Sequence, residues 1–351
     1  MAKPRSWAIG TSAAAAVLAL AACQAPPPRV EEPAPPAPSP ARIPSPPAAG
    51  AVVGQSDKFV LYAPGPNETL AAIARRFLGS DERAWEIAKF NGIARPEVGR
   101  IVAVPLQPIN PTGVYANGFQ KVPILCYHRF GPKSSKMVVT PDAFAAQLDY
   151  LARNGYRVVS LSQLVDFLAG KRGLPERALV ITIDDGHVSA YEHAYPLLKK
   201  YGFPATFFVY ADFIGSGEAL RWHQIKEMAA SGLIDFQAHS KTHANLVERL
   251  PGESDQRYRE RLDSEIRFPQ ELLQRNLATG VTQYAYPYGD ANEVVLARLG
   301  AAEFQLGVTV NPGGNPFFAQ PLMLRRTMVF GDYDMEAFKP LLQVFKPADL
   351  R

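Results

Sequence analysis

The sequence predicts an α/β protein: a domain of largely parallel strands at residues 120–351, a small strand–helix–helix–strand module at 56–107, and a tether in front of both. Three observations carry that prediction. Apolar runs such as Ala178-Leu179-Val180-Ile181-Thr182-Ile183 alternate with amphipathic helical stretches through the larger part of the chain, the pattern of strands joined by crossover helices. A shorter alternation of the same kind occupies the small module. Eleven of the 32 prolines fall within residues 24–48, where the missing backbone donors and fixed φ rule out a core. The 351 residues, 47% hydrophobic, suit about two domains. With Lys+Arg 37 against Asp+Glu 33, the net charge of +4 is too even for a nucleic-acid-binding stripe or a polybasic membrane arm, so no nucleic-acid partner is expected. Cys23 and Cys126 are too few for a disulfide framework or a thiolate zinc site.

Residues 1–22 read as a signal peptide. Lys3 and Arg5 precede an apolar run of small residues at 7–22, shorter than the ~20 residues of a membrane-crossing helix. Leu20-Ala21-Ala22-Cys23 resembles the lipobox of bacterial lipoproteins. That resemblance implies lipidation of Cys23, and Gln24 after it implies an outer-membrane address facing the periplasm. Residues 23–55 are then the lipidated, Pro-rich linker, extended at ~3 Å per residue where it is polyproline-like. The expected setting is the cell envelope, with the membrane as a partner through the lipid anchor.

In the module at 56–107, Phe59-Val60-Leu61-Tyr62 has strand composition and the turn-forming residues 63–67 stop it. Leu70, Ile73, Ala74 and Phe77 recur at helical spacing up to Gly79, and a second helical run at 82–90 stops at Asn91-Gly92. Ile101-Val102-Ala103-Val104 returns as a strand, closed by Pro105. On residues 68–77, 85–93 and 99–105 the module resembles LysM domains, which implies binding of N-acetylglucosamine-containing glycans. Pro66-Asn67-Glu68-Thr69-Leu70 departs from that family's usual Pro-Gly-Asp-Thr-Leu at Asn67 and Glu68, in the loop that usually lines the sugar groove.

In the domain at 120–351, Val122-Pro123-Ile124-Leu125-Cys126-Tyr127-His128 is an apolar strand ending in His128. A helix at 141–154, a strand at 157–159, a helix at 162–168 and the strand at 178–183 follow. A helix at 188–201 leads to the strand 205–210, and strands at 234–238 and 283–286 continue the alternation. Chemistry in such folds collects where strands exit. After the strand 178–183 stand Asp184-Asp185-Gly186-His187, two carboxylates that repel unless a cation or a proton sits between them. After the strand 234–238 stand His239-Ser240-Lys241-Thr242-His243, an i, i+4 pair expected on one face of a helical turn. Two neutral imidazoles and a carboxylate make an open three-ligand metal site.

Through Thr182-Ile183-Asp184-Asp185-Gly186 and His239-Ser240-Lys241-Thr242-His243, the domain resembles the NodB-homology polysaccharide deacetylases, carbohydrate esterase family four. The resemblance implies an irregular (β/α)7-type barrel, with Asp185, His239 and His243 as metal ligands and Asp184 as general base. Ala285-Tyr286-Pro287-Tyr288-Gly289 matches the family's Arg-x-Pro-Tyr motif, except that Ala285 stands where an Arg braces the base. The brace is missing or comes from elsewhere, with Arg325 and Arg326 the candidates, while Tyr286, Pro287 and Tyr288 are expected to serve substrate and oxyanion through a backbone N–H near Tyr286. The family's late Leu-x-His, which supplies the general acid, is absent, since no His follows His243. His128 is assigned that role, because the subgroup resembling poly-N-acetylglucosamine deacetylases places a His at the end of an Ile-Leu-Cys-Tyr-His-like stretch. His187, His193 and His223 are expected in surface or supporting positions, Cys126 as a buried thiol, and the charged stretch 253–275 as a solvated helix. The expected activity is removal of acetyl groups from N-acetylglucosamine in peptidoglycan or an exopolysaccharide. The expected cofactor is a divalent metal, zinc first, with cobalt or nickel also suited to His and carboxylate ligands. The alternatives are an O-acetyl carbohydrate esterase and a catalytically inactive glycan-binding lipoprotein.

Overall fold

The computed structural model describes residues 49–350. The signal peptide, Cys23 and residues 24–48 of the Pro-rich linker lie outside the described residues. Among the described residues, no helix is long and apolar enough to cross a membrane.

The small module is an antiparallel sheet of β1 (Ala51–Gln55), β2 (Phe59–Ala63) and β3 (Val102–Pro105) in that order, with α1 (Leu70–Leu78) and α2 (Ala84–Asn91) packed on it. Thr69 caps α1 by accepting from the Ala72 N–H, and the apolar stripe of α1 buries Ile73 and Ala74 against Val60, Tyr62, Ile87, Val102 and Val104. Asn91 ties α2 to the sheet: its amide donates to the Ala103 carbonyl (2.7 Å) and accepts from the Ala103 N–H (2.9 Å). The strand β1 goes beyond the elements read from the sequence. It is short, Gly-containing and half exposed, so no hydrophobic pattern marks it. Glu68 turns inward, accepting from the Tyr62 hydroxyl (3.0 Å) and the Gly65 N–H (2.9 Å), so this departure from the LysM pattern braces its own loop.

In the large domain, β4 (Val122–Tyr127), β5 (Ala178–Ile183), β6 (Ala205–Val209), β7 (Ile234–Ala238), β8 (Gln283–Ala285) and β9 (Leu306–Val308) are neighbours in chain order, and every pair is parallel. Leu324 bridges Val308 in parallel, and β10 (Thr327–Met328) pairs in parallel with Leu125 and Cys126 of β4. The segment 324–328 therefore spans the gap between β9 and β4, and the sheet curls on itself. Residues of β4 and β5 are buried along their whole length, which is why both read as unbroken apolar runs.

Side-chain parity decides what lies inside the curl. Leu179, Ile181 and Ile183 of β5 pack outward with residues of α3 (Pro141–Arg153), α5 (Tyr195–Tyr201), α6 (Trp222–Ala230), α7 (Asp255–Leu277) and α8 (Glu293–Ala301). Val180 of β5 and Val122 and Ile124 of β4 face inward with Phe208, Val308 and Leu324, and Leu161, Leu164 and Phe167 of α4 (Leu161–Leu168) join them. Continuing the same parity past these strands places Cys126, His128, Thr182 and Asp184 on the inner side.

Candidate active site

Asp184 follows β5 and is 1% exposed. A carboxylate buried so deeply needs a counter-charge, and Arg326, fully buried, supplies it as a two-pronged pair: Nη1 to Oδ1 and Nη2 to Oδ2, both 2.7 Å. The same guanidinium donates from Nε to the Thr309 carbonyl (2.9 Å), which fixes its plane. Burial by itself would push the Asp184 carboxyl up, and the Arg326 charge, with His239 adding to it, overrides that and holds it below the usual carboxylate range. The brace absent at Ala285 is therefore present, contributed by the closing segment of the sheet. Arg325, next to it, is exposed, and among the described residues its side chain donates only to the Pro312 carbonyl.

Ligand atoms of Cys126, His128 and Asp184 lie within 4.8 Å of one another. A cation is disfavoured among these three, because the Asp184 oxygens already face a guanidinium. Burial pushes the Cys126 thiol well up, and its Sγ lies 3.7 Å from Asp184 Oδ2 as a weak donor. Burial likewise pushes the His128 imidazole below its ordinary value, against the pull of Asp184 and Asp185, so the free ring favours the neutral form.

The next residue, Asp185, has a left-handed backbone (φ 74) that turns its carboxylate away from Asp184. Gly186 continues the turn at φ 84, where a Cβ would stand 2.9 Å from Val209 Cγ1, so only glycine fits. Asp185 Oδ1 is buried and has no hydrogen-bond donor, yet His239 Nε2 lies 3.5 Å from it and His243 Nε2 3.3 Å. The Ala285 carbonyl, 2.8 Å away, holds Nδ1 of His239, so Nε2 is the ring nitrogen left facing Asp185. Two imidazole nitrogens and an orphaned carboxylate oxygen converging in this way fit a divalent cation, with Asp185, His239 and His243 as its protein ligands. The His239–Ala285 contact is the outer-shell bond such ligands need.

One expectation is corrected by the backbone. His239 and His243 do not share a helical turn: residues 239–243 form a loop, with Ser240 (φ 72) and His243 (φ 64) left-handed. The His243 N–H donates to Ser240 Oγ (2.8 Å), and this local bond competes with helix formation. What holds the loop is Glu265 of α7, 5% exposed, which accepts from the Lys241 and Thr242 N–H groups (2.9 Å each) and from the Thr242 hydroxyl (2.8 Å). No sequence signal singled it out, because it sits in the charged stretch that reads as a solvated helix. Glu265→Gln leaves one carboxylate oxygen replaced by an amide that cannot accept, so we expect metal affinity to fall about 10–100-fold, measured by chelator competition, with Glu265→Asp recovering part of it.

The third motif divides. Tyr286 is fully buried, its hydroxyl donates to the Leu322 carbonyl (2.7 Å), and its N–H donates to Val308 (3.2 Å). Its side chain and amide are thus spent on the fold, and the oxyanion role expected near Tyr286 is not available from its own N–H. Pro287 has none, so the next N–H along the chain is that of Tyr288. Tyr288 is 62% exposed with φ 62, and its ring meets His243 edge-on at 5.0 Å. The cleft over Asp185 and His243, about 350 Å³, is lined further by Arg129, His187, Tyr210, Phe213 and Glu218. His187 accepts from Arg129 Nε (2.8 Å) and stands 3.6 Å from Asp185 Oδ2 as a supporting group. His193 and His223 do not line this cleft.

Residues 171–307 match the family model for polysaccharide deacetylase. The structure of IcaB from Ammonifex degensii superposes with a TM-score of 0.58 at 31% identity, covering 64% of this chain and 98% of that one. The chain belongs to the polysaccharide deacetylase family. Among curated relatives, the Bacillus subtilis (strain 168) protein YxkH is 34% identical over 193 residues, 55% of this chain and 66% of its own length. The poly-beta-1,6-N-acetyl-D-glucosamine N-deacetylase of Escherichia coli (strain K12) is 25% identical over 211 residues, 50% of this chain and 31% of its own length. The chain thus spans less than two thirds of either relative. In this polysaccharide deacetylase domain, Asp184, Asp185, His239, His243 and Tyr288 fall inside the matched stretch, while His128 and Arg326 lie outside it.

Proposed function

We propose that this protein is a metal-dependent polysaccharide N-deacetylase that removes acetyl groups from N-acetylglucosamine residues and releases acetate. The observation that carries the reading is the orphaned Asp185 Oδ1 facing two imidazole nitrogens, one residue away from a carboxylate kept ionised by Arg326. A divalent ion held by Asp185, His239 and His243, zinc being the first choice, supplies polarisation of the acetamide carbonyl and acidity to a water. Asp184 accepts the proton that the attacking water loses. Its basicity is low because of Arg326, but each oxygen keeps a lone pair free of the guanidinium. The Tyr288 N–H is offered to the carbonyl oxygen as it becomes an anion. His128, neutral in the free protein, receives the proton from Asp184 and passes it to the sugar nitrogen as the C–N bond breaks. Acetate leaves and a free amine remains on the polymer.

The setting belongs to the same proposal: Cys23 as lipid site, an envelope location at the outer membrane, and a LysM-type module whose groove, between residues 65–70 and 94–98, takes the glycan. The polymer in this reading is peptidoglycan or an exopolysaccharide. The retained ligands and base argue against an inactive glycan-binding protein. An O-acetyl esterase is separated by the leaving group, since an amine leaves only when protonated and an alcohol needs less help. Acetate release from N-acetylglucosamine oligomers, peptidoglycan and an O-acetylated glycan is expected to be fastest from an N-acetyl substrate. His128→Asn is expected to cost about 10²–10⁴-fold on the amide and less on the ester. Faster release from the O-acetylated glycan, with His128→Asn silent on amides, would make the protein an esterase.

A further inference from the structure

A second cleft, of about 650 Å³, lies between the small module and the large domain. Its wall includes Leu174, Pro175 and Pro204, which precede β5 and β6 in the chain, so it opens at the opposite end of the sheet from Asp184. The two modules are fastened across it: Gln163 Nε2 donates to Glu82 Oε2 (2.5 Å), Lys89 pairs with Glu176 (2.9 Å), and Trp85 packs over Gly173.

Trp85, Gln163, Arg157 and Arg172 line this cleft with Asp81 and Glu82. Both acids are engaged, Asp81 by Arg75 and Glu82 by Gln163. Among the described residues, neither Arg157 nor Arg172 has a carboxylate partner for its side chain, and Arg172 Nε is shut off from solvent with no acceptor. A guanidinium that has lost part of its water and gained no acceptor is an uncompensated cost, which an anion on its open edge offsets. The half-buried indole of Trp85 lines the same cleft, and an aromatic ring with donors around it is the combination that suits a pyranose, with its C–H face on the aromatic and its substituents on the donors.

We propose that this cleft is a further glycan-binding site, specific for a hexose segment bearing a carboxylate, with the sugar ring on Trp85 and the carboxylate on Arg157 and Arg172. It goes beyond the deacetylase reading, since it shares no residue with the cleft over Asp185 and His243 and needs no metal, and it meets the groove of the small module only at Leu70 and Ala94. Its consequence is that an acidic polymer is held on one end of the domain while the other end faces chains to be deacetylated.

The test is calorimetric titration of the full chain, metal-free so that no turnover occurs, with three probes: a neutral N-acetylglucosamine tetramer, a glucosamine–muramic acid oligomer carrying lactyl carboxylates, and an oligouronate. The parent is expected to bind one or both acidic probes at least tenfold more tightly than the neutral one, and which of the two binds identifies the source of the carboxylate. Arg157→Gln and Arg172→Gln are each expected to weaken acidic binding about tenfold and leave the neutral probe unchanged, and Trp85→Leu to weaken binding of the sugar ring. Arg157 is exposed, so its variant keeps the test readable should Arg172→Gln or Trp85→Leu fail to fold. Equal binding of acidic and neutral probes, no binding of either acidic probe, or acidic binding unchanged in a folded Arg157→Gln, overturns the proposal whatever the protein does to acetyl groups.

Discussion

Arg326→Met is expected to destabilise the protein by about 3–5 kcal/mol, because it strands the buried Asp184 carboxylate without its counter-charge. Both partners are essentially closed to solvent, so water cannot take over the role of the guanidinium. The sign of the pH dependence identifies the cause. In the parent, Asp184 has a folded-state pKa below its unfolded value, so its contribution is present above the ordinary carboxylate range and is lost as pH falls through the lowered pKa. In Arg326→Met, burial is opposed only by the weaker pull of His239 and His128, so that pKa rises and the variant loses stability as pH rises and regains it in acid. Denaturant unfolding at pH 7 and pH 4.5 should show the deficit shrinking at the lower pH. The double variant Arg326→Met, Asp184→Asn should recover much of the loss, since the stranded charge is gone. A deficit of the same size at both pH values would mean that Arg326 matters through packing alone.

Asp185→Ala is expected to abolish specific metal binding with little effect on the metal-free fold. Its Oδ1 makes no hydrogen bond, so removing it breaks little except the electrostatic focus of His187, His239 and His243. In the parent, zinc at a thousandfold excess over its dissociation constant should add about 4 kcal/mol of stability, visible as a rise in the thermal midpoint. The variant should show almost none of that rise. An equal zinc-induced shift in both proteins would move the metal away from this site.

How much of this was legible in the sequence follows from which interactions are local. Asp184 and Asp185 stand at the exit of the strongly apolar strand Ala178–Ile183, and His239 and His243 at the exit of the alternating strand Ile234–Ala238, so both exits are marked in the sequence. The geometry of the histidine pair was not legible, because the same i, i+4 spacing fits a helical turn and the observed loop, and Ser240 and Glu265 decide for the loop. Arg326 was reachable only as one of two neighbours, since an exposed and a buried arginine look alike until β10 closes on β4. That pairing joins Thr327 to Leu125 across most of the domain's length, and a two-residue strand carries no periodicity to announce it. Tyr286 and Tyr288 divide for a similar reason: which tyrosine faces solvent is set by the left-handed φ at Tyr288, not by residue type. The cleft lined by Trp85 and Arg172 exists only because two modules meet.

The most direct test of the account is acetate release from an N-acetylglucosamine oligomer by the full chain, measured after chelation and again after zinc is restored, for the parent and for Asp185→Ala. The parent should fall to background on chelation and recover with zinc, while Asp185→Ala should stay at background throughout. Release at the parental rate from the chelated parent or from Asp185→Ala would contradict a reaction that depends on a metal held by Asp185, His239 and His243.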